Sequence, residues 1–141
     1  MMPDTELLQY IHKTADMGCK GLNDVMKYAD NDLRKVLNDQ LTEYEKLREQ
    51  AASMLRGRRE EPNGAGTMAK ISAEVMSAGQ LMMDHSASKI AEMTIQGNNM
   101  GVSKTIKHLH DYQGTDENVR ALGEKLLATE EANVEQLKPF L

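Results

Sequence analysis

The sequence predicts an all-α protein folded as an antiparallel up-down four-helix bundle, and three observations carry that expectation. Apolar and small residues recur at steps of three and four over long stretches, which places them on one face of a helix. Proline occurs only at Pro3, Pro62 and Pro139, so the stretches between them contain no residue that both removes a backbone donor and clashes with the preceding turn. The apolar content comes from 11 Met and many Leu, with 4 Tyr, 1 Phe and no Trp, a mixture that suits helix packing better than sheet packing. At 141 residues the chain fits one domain, 1–141, with enough length to bury a core without staples.

The first helix is expected over about 5–28, capped by Asp4 or Thr5 with Pro3 just outside it. Leu8, Ile11, Ala15, Gly18, Leu22, Val25 and Ala29 form its seam, at the spacing of left-handed bundle packing. Gly18 lowers helix propensity by about 1 kcal/mol against Ala, and its place on the seam predicts a close neighbour. Asp30 or Asn31 then caps a second helix running to about Arg56. Its seam reads Leu33, Leu37, Gln40, Tyr44, Leu47, Ala51 and Met54, flanked by Val36, Leu41 and Leu55. The short connection makes these two a hairpin of nearly equal arms, about 36 Å each.

Residues 57–66, basic, then acidic, then Pro62-Asn63-Gly64, form the clearest loop and divide a hairpin at 4–56 from a second at 67–138. The third helix is expected from about Thr67 to Gln96. Ile71, Val75, Ala78, Met82 and His85 share one face, and Met76, Met83, Ile90, Met93 and Ile95 widen the apolar arc. An arc this wide suits a helix with two neighbours or a second subunit. Gly97-Asn98-Asn99-Met100-Gly101 reads as a turn, with a Gly-x-x-x-Gly contact inside a continuing kinked helix as the rival. A short extra helix, 102–112, then precedes the last long one. Thr115 caps that last helix, Val119, Leu122, Leu126, Leu127, Val134 and Leu137 carry its stripe, and Pro139 ends it.

Charge narrows the partners. The net charge of −5 opposes nucleic acid or an anionic membrane, which both need a positive field. The basic run Arg56-Gly57-Arg58-Arg59 is followed at once by Glu60-Glu61 and suits a helix C-terminus instead. No apolar run approaches the roughly 18 residues of a membrane span. Met1-Met2-Pro3-Asp4 lacks the basic and apolar regions of a signal peptide, so a cytoplasmic location is expected. Cys19 is the only cysteine, which rules out an intrachain disulfide, and it reads as a small core residue.

Two long helical hairpins joined by a loop resemble the ferritin-like superfamily. Glu130-Glu131-Ala132-Asn133 followed by Leu137-Lys138-Pro139-Phe140-Leu141 resembles the final helix of its small bacterial members, and a similar arrangement occurs in small bacterial spore-coat-associated bundles. The resemblance implies an interior where inward Glu residues and two Glu-x-x-His pairs hold metal, because residues three apart project from one face. This chain departs from that pattern. None of His12, His85, His108 and His110 has a Glu three residues before it, Glu130 is followed by Asn133 where a His would stand, and Glu43 is followed by Lys46.

The residues left to inspect for a reduced metal site are Glu43, Glu74, His85 and Glu130. Glu74 and His85 share a helix face but would lie about 16 Å apart, so each needs partners from other helices. The plainer reading makes His85 a core or interface histidine and the three acids solvated or hydrogen-bonded. His108 and His110 point about 200° apart on a helix and cannot chelate together. His12 and Asp16, one turn apart, suit an ion pair. No nucleophile elbow, activated Cys or phosphate loop is present. The methionines read first as core filler and then as a face for self-association.

Two functions follow as expectations. The first is a non-enzymatic bundle acting through protein–protein contact or self-assembly, as a dimer or larger homo-oligomer, with no cofactor. The alternative is an atypical di-metal carboxylate protein that binds or oxidises iron, or holds another divalent metal. A small-ligand carrier with a Met- and Tyr-lined gap at Gly18 and Gly79 is a third and weaker reading.

Overall fold

The computed structural model describes residues 2–63 and 84–141. Among them the chain forms four α-helices that pack against one another, and no strand: α1 (Asp4–Met26), α2 (Asn31–Gly57), α3 (Ala87–Asp111) and α4 (Glu117–Leu137), closed by a 3-10 turn at Lys138–Phe140. The main pairings are α1 with α2 and α3 with α4; α4 also touches α1 and α2, and α1 touches α3.

The first two helices follow the sequence closely. In α1 the buried residues are Leu7, Leu8, Ile11, Ala15, Asp16, Cys19, Leu22, Val25 and Met26, the expected seam plus its immediate flank. In α2 they are Leu33, Leu37, Gln40, Tyr44, Leu47, Ala51, Ala52 and Leu55. Gly18 does admit a close neighbour. A Cβ at that position would lie 2.9 Å from two carbons of the Tyr44 ring, so the missing side chain lets the tyrosine lie against α1. Between the helices, Asn31 adopts a positive φ of 49°, a left-handed conformation that Asn tolerates better than most residues.

The second half differs from expectation at three places. Residues 84–86 are not helical, and Ser86 caps α3 by accepting from the Lys89 amide at 3.2 Å. A helix unbroken from 67 to 96 is therefore corrected; its first part, with Ile71, Val75, Ala78 and Met82, lies outside the described residues. The turn at 97–101 and the separate short helix after it are corrected too, because α3 runs without interruption from Ala87 to Asp111. Gly and Asn weaken a helix by at most about 1 kcal/mol each, and tertiary contacts of Asn98 and Gly101 outweigh that cost. Finally, α4 is capped by Asp116 rather than Thr115: its carboxylate accepts from the amides of Asn118 (2.9 Å) and Val119 (3.4 Å).

One end of the molecule is tied by a polar cluster. Arg58, just past α2, lies 3.6 Å from Asp4 at the start of α1 and pairs with Asp116 at the start of α4. Tyr112, just past α3, donates to Asp4 at 2.5 Å, and burial together with that carboxylate pushes its phenol up to about 12. Arg120 lies over the Tyr112 ring, 5.0 Å from its centre. The start of α1, the end of α2, the end of α3 and the start of α4 thus meet at one place.

Candidate functional site

The apolar core is crossed by polar side chains from all four helices. Buried polar groups survive in a core only when they are hydrogen-bonded, and here most of them bond to each other. Glu130 of α4 is 2% exposed. Its Oε1 accepts from the Thr105 hydroxyl of α3 at 2.7 Å. The Thr105 oxygen lies 2.9 Å from the Tyr10 hydroxyl of α1. With the single Thr105 proton directed at the carboxylate, Tyr10 donates to Thr105, and a chain of two hydroxyls runs from α1 to the acid.

A second set lies beside the first. The Tyr44 hydroxyl of α2 donates to Asn98 Oδ1 at 2.9 Å, and Asn133 Nδ2 of α4 donates to the same oxygen at 3.3 Å. Asn98 in turn donates to the Thr94 carbonyl at 2.9 Å. Gln40 donates to Gln136 Oε1 at 3.1 Å, while its own Oε1 is buried without a partner among the described residues.

The electrostatics of these side chains follow from burial. Desolvation pushes the Glu130 carboxyl up to about 7, against a smaller opposing effect of the Thr105 bond, and the neighbouring Glu131 adds to the rise. Burial also raises the Tyr10 and Tyr44 phenols, and Glu130 adds to both shifts. No Lys, Arg or His among the described residues acts on Glu130. Around neutral pH the set therefore holds one carboxyl poised between its two protonation states, among otherwise neutral partners.

Gly101 makes room for that carboxyl. A Cβ at Gly101 would collide with Glu130 Oε2, whereas one at Gly97 would meet nothing within 4 Å. The Gly-x-x-x-Gly spacing is thus asymmetric: Gly101 is the seat of Glu130, and Gly97 has no packing role among the described residues. Gly97→Ala should gain about 0.5–1 kcal/mol of helix propensity. Gly101→Ala should instead lose about 1–3 kcal/mol, because overcrowding a packed site outweighs the same gain. Urea unfolding of the two variants checks the contrast, and equal effects would contradict this seating of Glu130.

The four residues inspected as ligands fare differently. Glu130 is buried among these polar side chains. Glu43, one position before the seam residue Tyr44, lies at the side of α2, where its carboxylate is 44% exposed and 3.4 Å from Lys46. His85 is exposed in the non-helical segment before α3, with its ring tilted against Tyr28 at 5.4 Å, so its expected place in the core on a helix face is corrected. Glu74 lies outside the described residues. Glu130 is not brought together with Glu43 or His85. Among the described residues, no three His, Cys, Asp or Glu side chains are grouped to hold a metal ion. The Glu130 and Asn133 side chains do sit inward, as a Glu-x-x-His pair would, but the Asn133 amide is bonded to Asn98.

Other expectations resolve simply. Asp16 bonds Lys20 at 2.8 Å and Arg48 at 3.2 Å rather than pairing with His12. Cys19 is buried, and burial raises its thiol, which leaves it unactivated. His108 stacks flat on Tyr10, with ring centres 3.6 Å apart. No described helix is long and apolar enough to cross a membrane. No protein family, curated protein or solved structure matches this chain.

Proposed function

We propose that this chain is a ferritin-like bundle without catalytic activity, acting through contact with a protein partner or with further copies of itself, in the simplest case as a dimer. The meeting of helix ends at Asp4, Arg58, Tyr112 and Asp116 supports the architecture. On this reading α1 and α2 form one antiparallel pair and α3 and α4 another, and the shared polar cluster at their ends supports it.

The observation that carries the functional reading is the bonding of Asn133. At the position where an inward imidazole would complete a Glu-x-x-His pair, an amide ties α4 to Asn98, which also receives Tyr44. This bonding supports a reading in which the buried polar side chains join helices and the chain acts through its surface. Met17, Tyr28 and Met100 are exposed apolar side chains available for it. Size-exclusion chromatography with light scattering tests the assembly. A second species should grow with concentration, and a strict monomer at high concentration would overturn the self-association part.

The iron-handling alternative draws on one observation, the buried Glu130 carboxyl. Elemental analysis of protein purified without chelator, with an iron-oxidation assay, separates the two readings. Stoichiometric iron lost on Glu130→Ala would replace the first with the second.

A further inference from the structure

The seam between α1 and α2 contains a titratable group that the buried polar network does not use. His12 is half-buried, and its Nδ1 is shielded from solvent without a hydrogen-bond partner among the described residues. The acid one turn away cannot serve it readily. Asp16 Oδ2 is held by Lys20 at 2.8 Å and Oδ1 by Arg48 of α2 at 3.2 Å. The charged groups that act on His12 are Asp16 from its own helix and Arg48, Arg56 and Glu49 from α2. Two are cations and two are acids, and one of the acids is already engaged twice. A proton added to this ring therefore enters a desolvated place where the opposing charge is largely spoken for.

We propose that His12 makes the α1–α2 pairing acid-sensitive, with the neutral ring fitting the seam and the charged ring loosening it. The physical basis is the general cost of charging a group inside a packed contact. Burial, the largest influence on this ring, holds His12 below the ordinary histidine range, with Arg48 and Arg56 assisting and Asp16 and Glu49 opposing. A histidine held neutral by the fold stabilises it above the ordinary histidine range. That stability is lost as pH falls through the unfolded value toward the folded one.

Of the remaining histidines, His85 and His110 are exposed and His108 stacks on Tyr10. The test is a proton NMR titration of the four imidazoles in the intact chain from pH 8 to 5. It is paired with urea unfolding of the native chain and of His12→Gln at pH 7.5 and 5.5. His12 should titrate below the ordinary histidine range, with amide shifts in both α1 and α2 following it. The native chain should lose more of its urea midpoint on acidification than His12→Gln does. Titration of His12 within or above the ordinary histidine range would overturn the proposal, as would parallel losses in the two proteins. Should His12→Gln not fold, the titration of the native chain decides alone.

Discussion

Glu130→Gln is expected to remove most of the fall in stability between pH 4.5 and about 7, and to make the protein more stable than the native chain above that window. In the folded state the carboxyl is pushed up to about 7, whereas an unperturbed glutamate lies at 4.5. Between those values the folded protein holds a proton that the unfolded chain has released. Stability therefore falls as pH rises through that window, and above it the loss is complete. A difference of this size corresponds to at most about 3 kcal/mol. The amide is neutral throughout, so its stability should stay level where the native protein declines. The gain at pH 8 should be smaller than the full shift, about 1–3 kcal/mol, because the buried NH2 set against Gly101 needs an acceptor. Urea midpoints at pH 5, 6, 7 and 8 measure both slopes. The iron-handling reading requires the opposite result, a variant that is less stable and has lost its metal. A native slope that survives in Glu130→Gln would show that the carboxyl is not held as its burial requires.

Why this acid was visible in the sequence as a candidate ligand or a solvated or hydrogen-bonded group, yet was not placed on the core seam, is a question of pattern. Val119, Leu122, Leu126, Glu130, Asn133 and Leu137 continue one seam at steps of three and four, and all six are buried. A purely apolar stripe omits the fourth and fifth and replaces them with Leu127 and Val134, which are only half-buried. The same holds for α3. Ala91, Thr94, Asn98, Gly101, Thr105 and Leu109 keep seam spacing straight through the stretch that composition marks as a turn. Gly and Asn are turn formers when exposed and seam residues when a facing side chain needs room or a hydrogen bond. The facing groups, Glu130 and Tyr44, belong to other helices, so the meaning of Asn98 and Gly101 depends on the tertiary fold. In α1 and α2 most of the core was legible, although Met54 of the expected seam is half-buried and the flanking Leu55 is the fully buried one. Gln40 and Tyr44 were placed there by spacing alone. The candidate site was legible only at Glu130. Glu43 is one position off the Tyr44 seam, and a step of about 100° on a helix separates a core position from a flank.

The second large effect tests that register directly. Leu126 is fully buried on the seam one turn before Glu130, and its neighbour Leu127 is half-buried beside it. Leu126→Ala should cost about 3–4 kcal/mol, since it removes buried methyl groups and leaves a cavity that α1, α2 and α3 cannot close without moving. Leu127→Ala removes the same atoms from a half-wet position and should cost about 1 kcal/mol. The two substitutions have identical chemistry, so their difference reports only which way α4 faces. Thermal or urea unfolding of both variants at one pH is sufficient. If Leu127→Ala proved the more damaging, α4 would be rotated by about one residue. Glu130 would then leave the core for the flank, and the polar network, the raised carboxyl and the seat at Gly101 would all be lost together. If Leu126→Ala is the more damaging by the expected margin, the same rotation angle that buries Leu126 carries Glu130 and Asn133 inward, because residues four and seven further along a helix share its face.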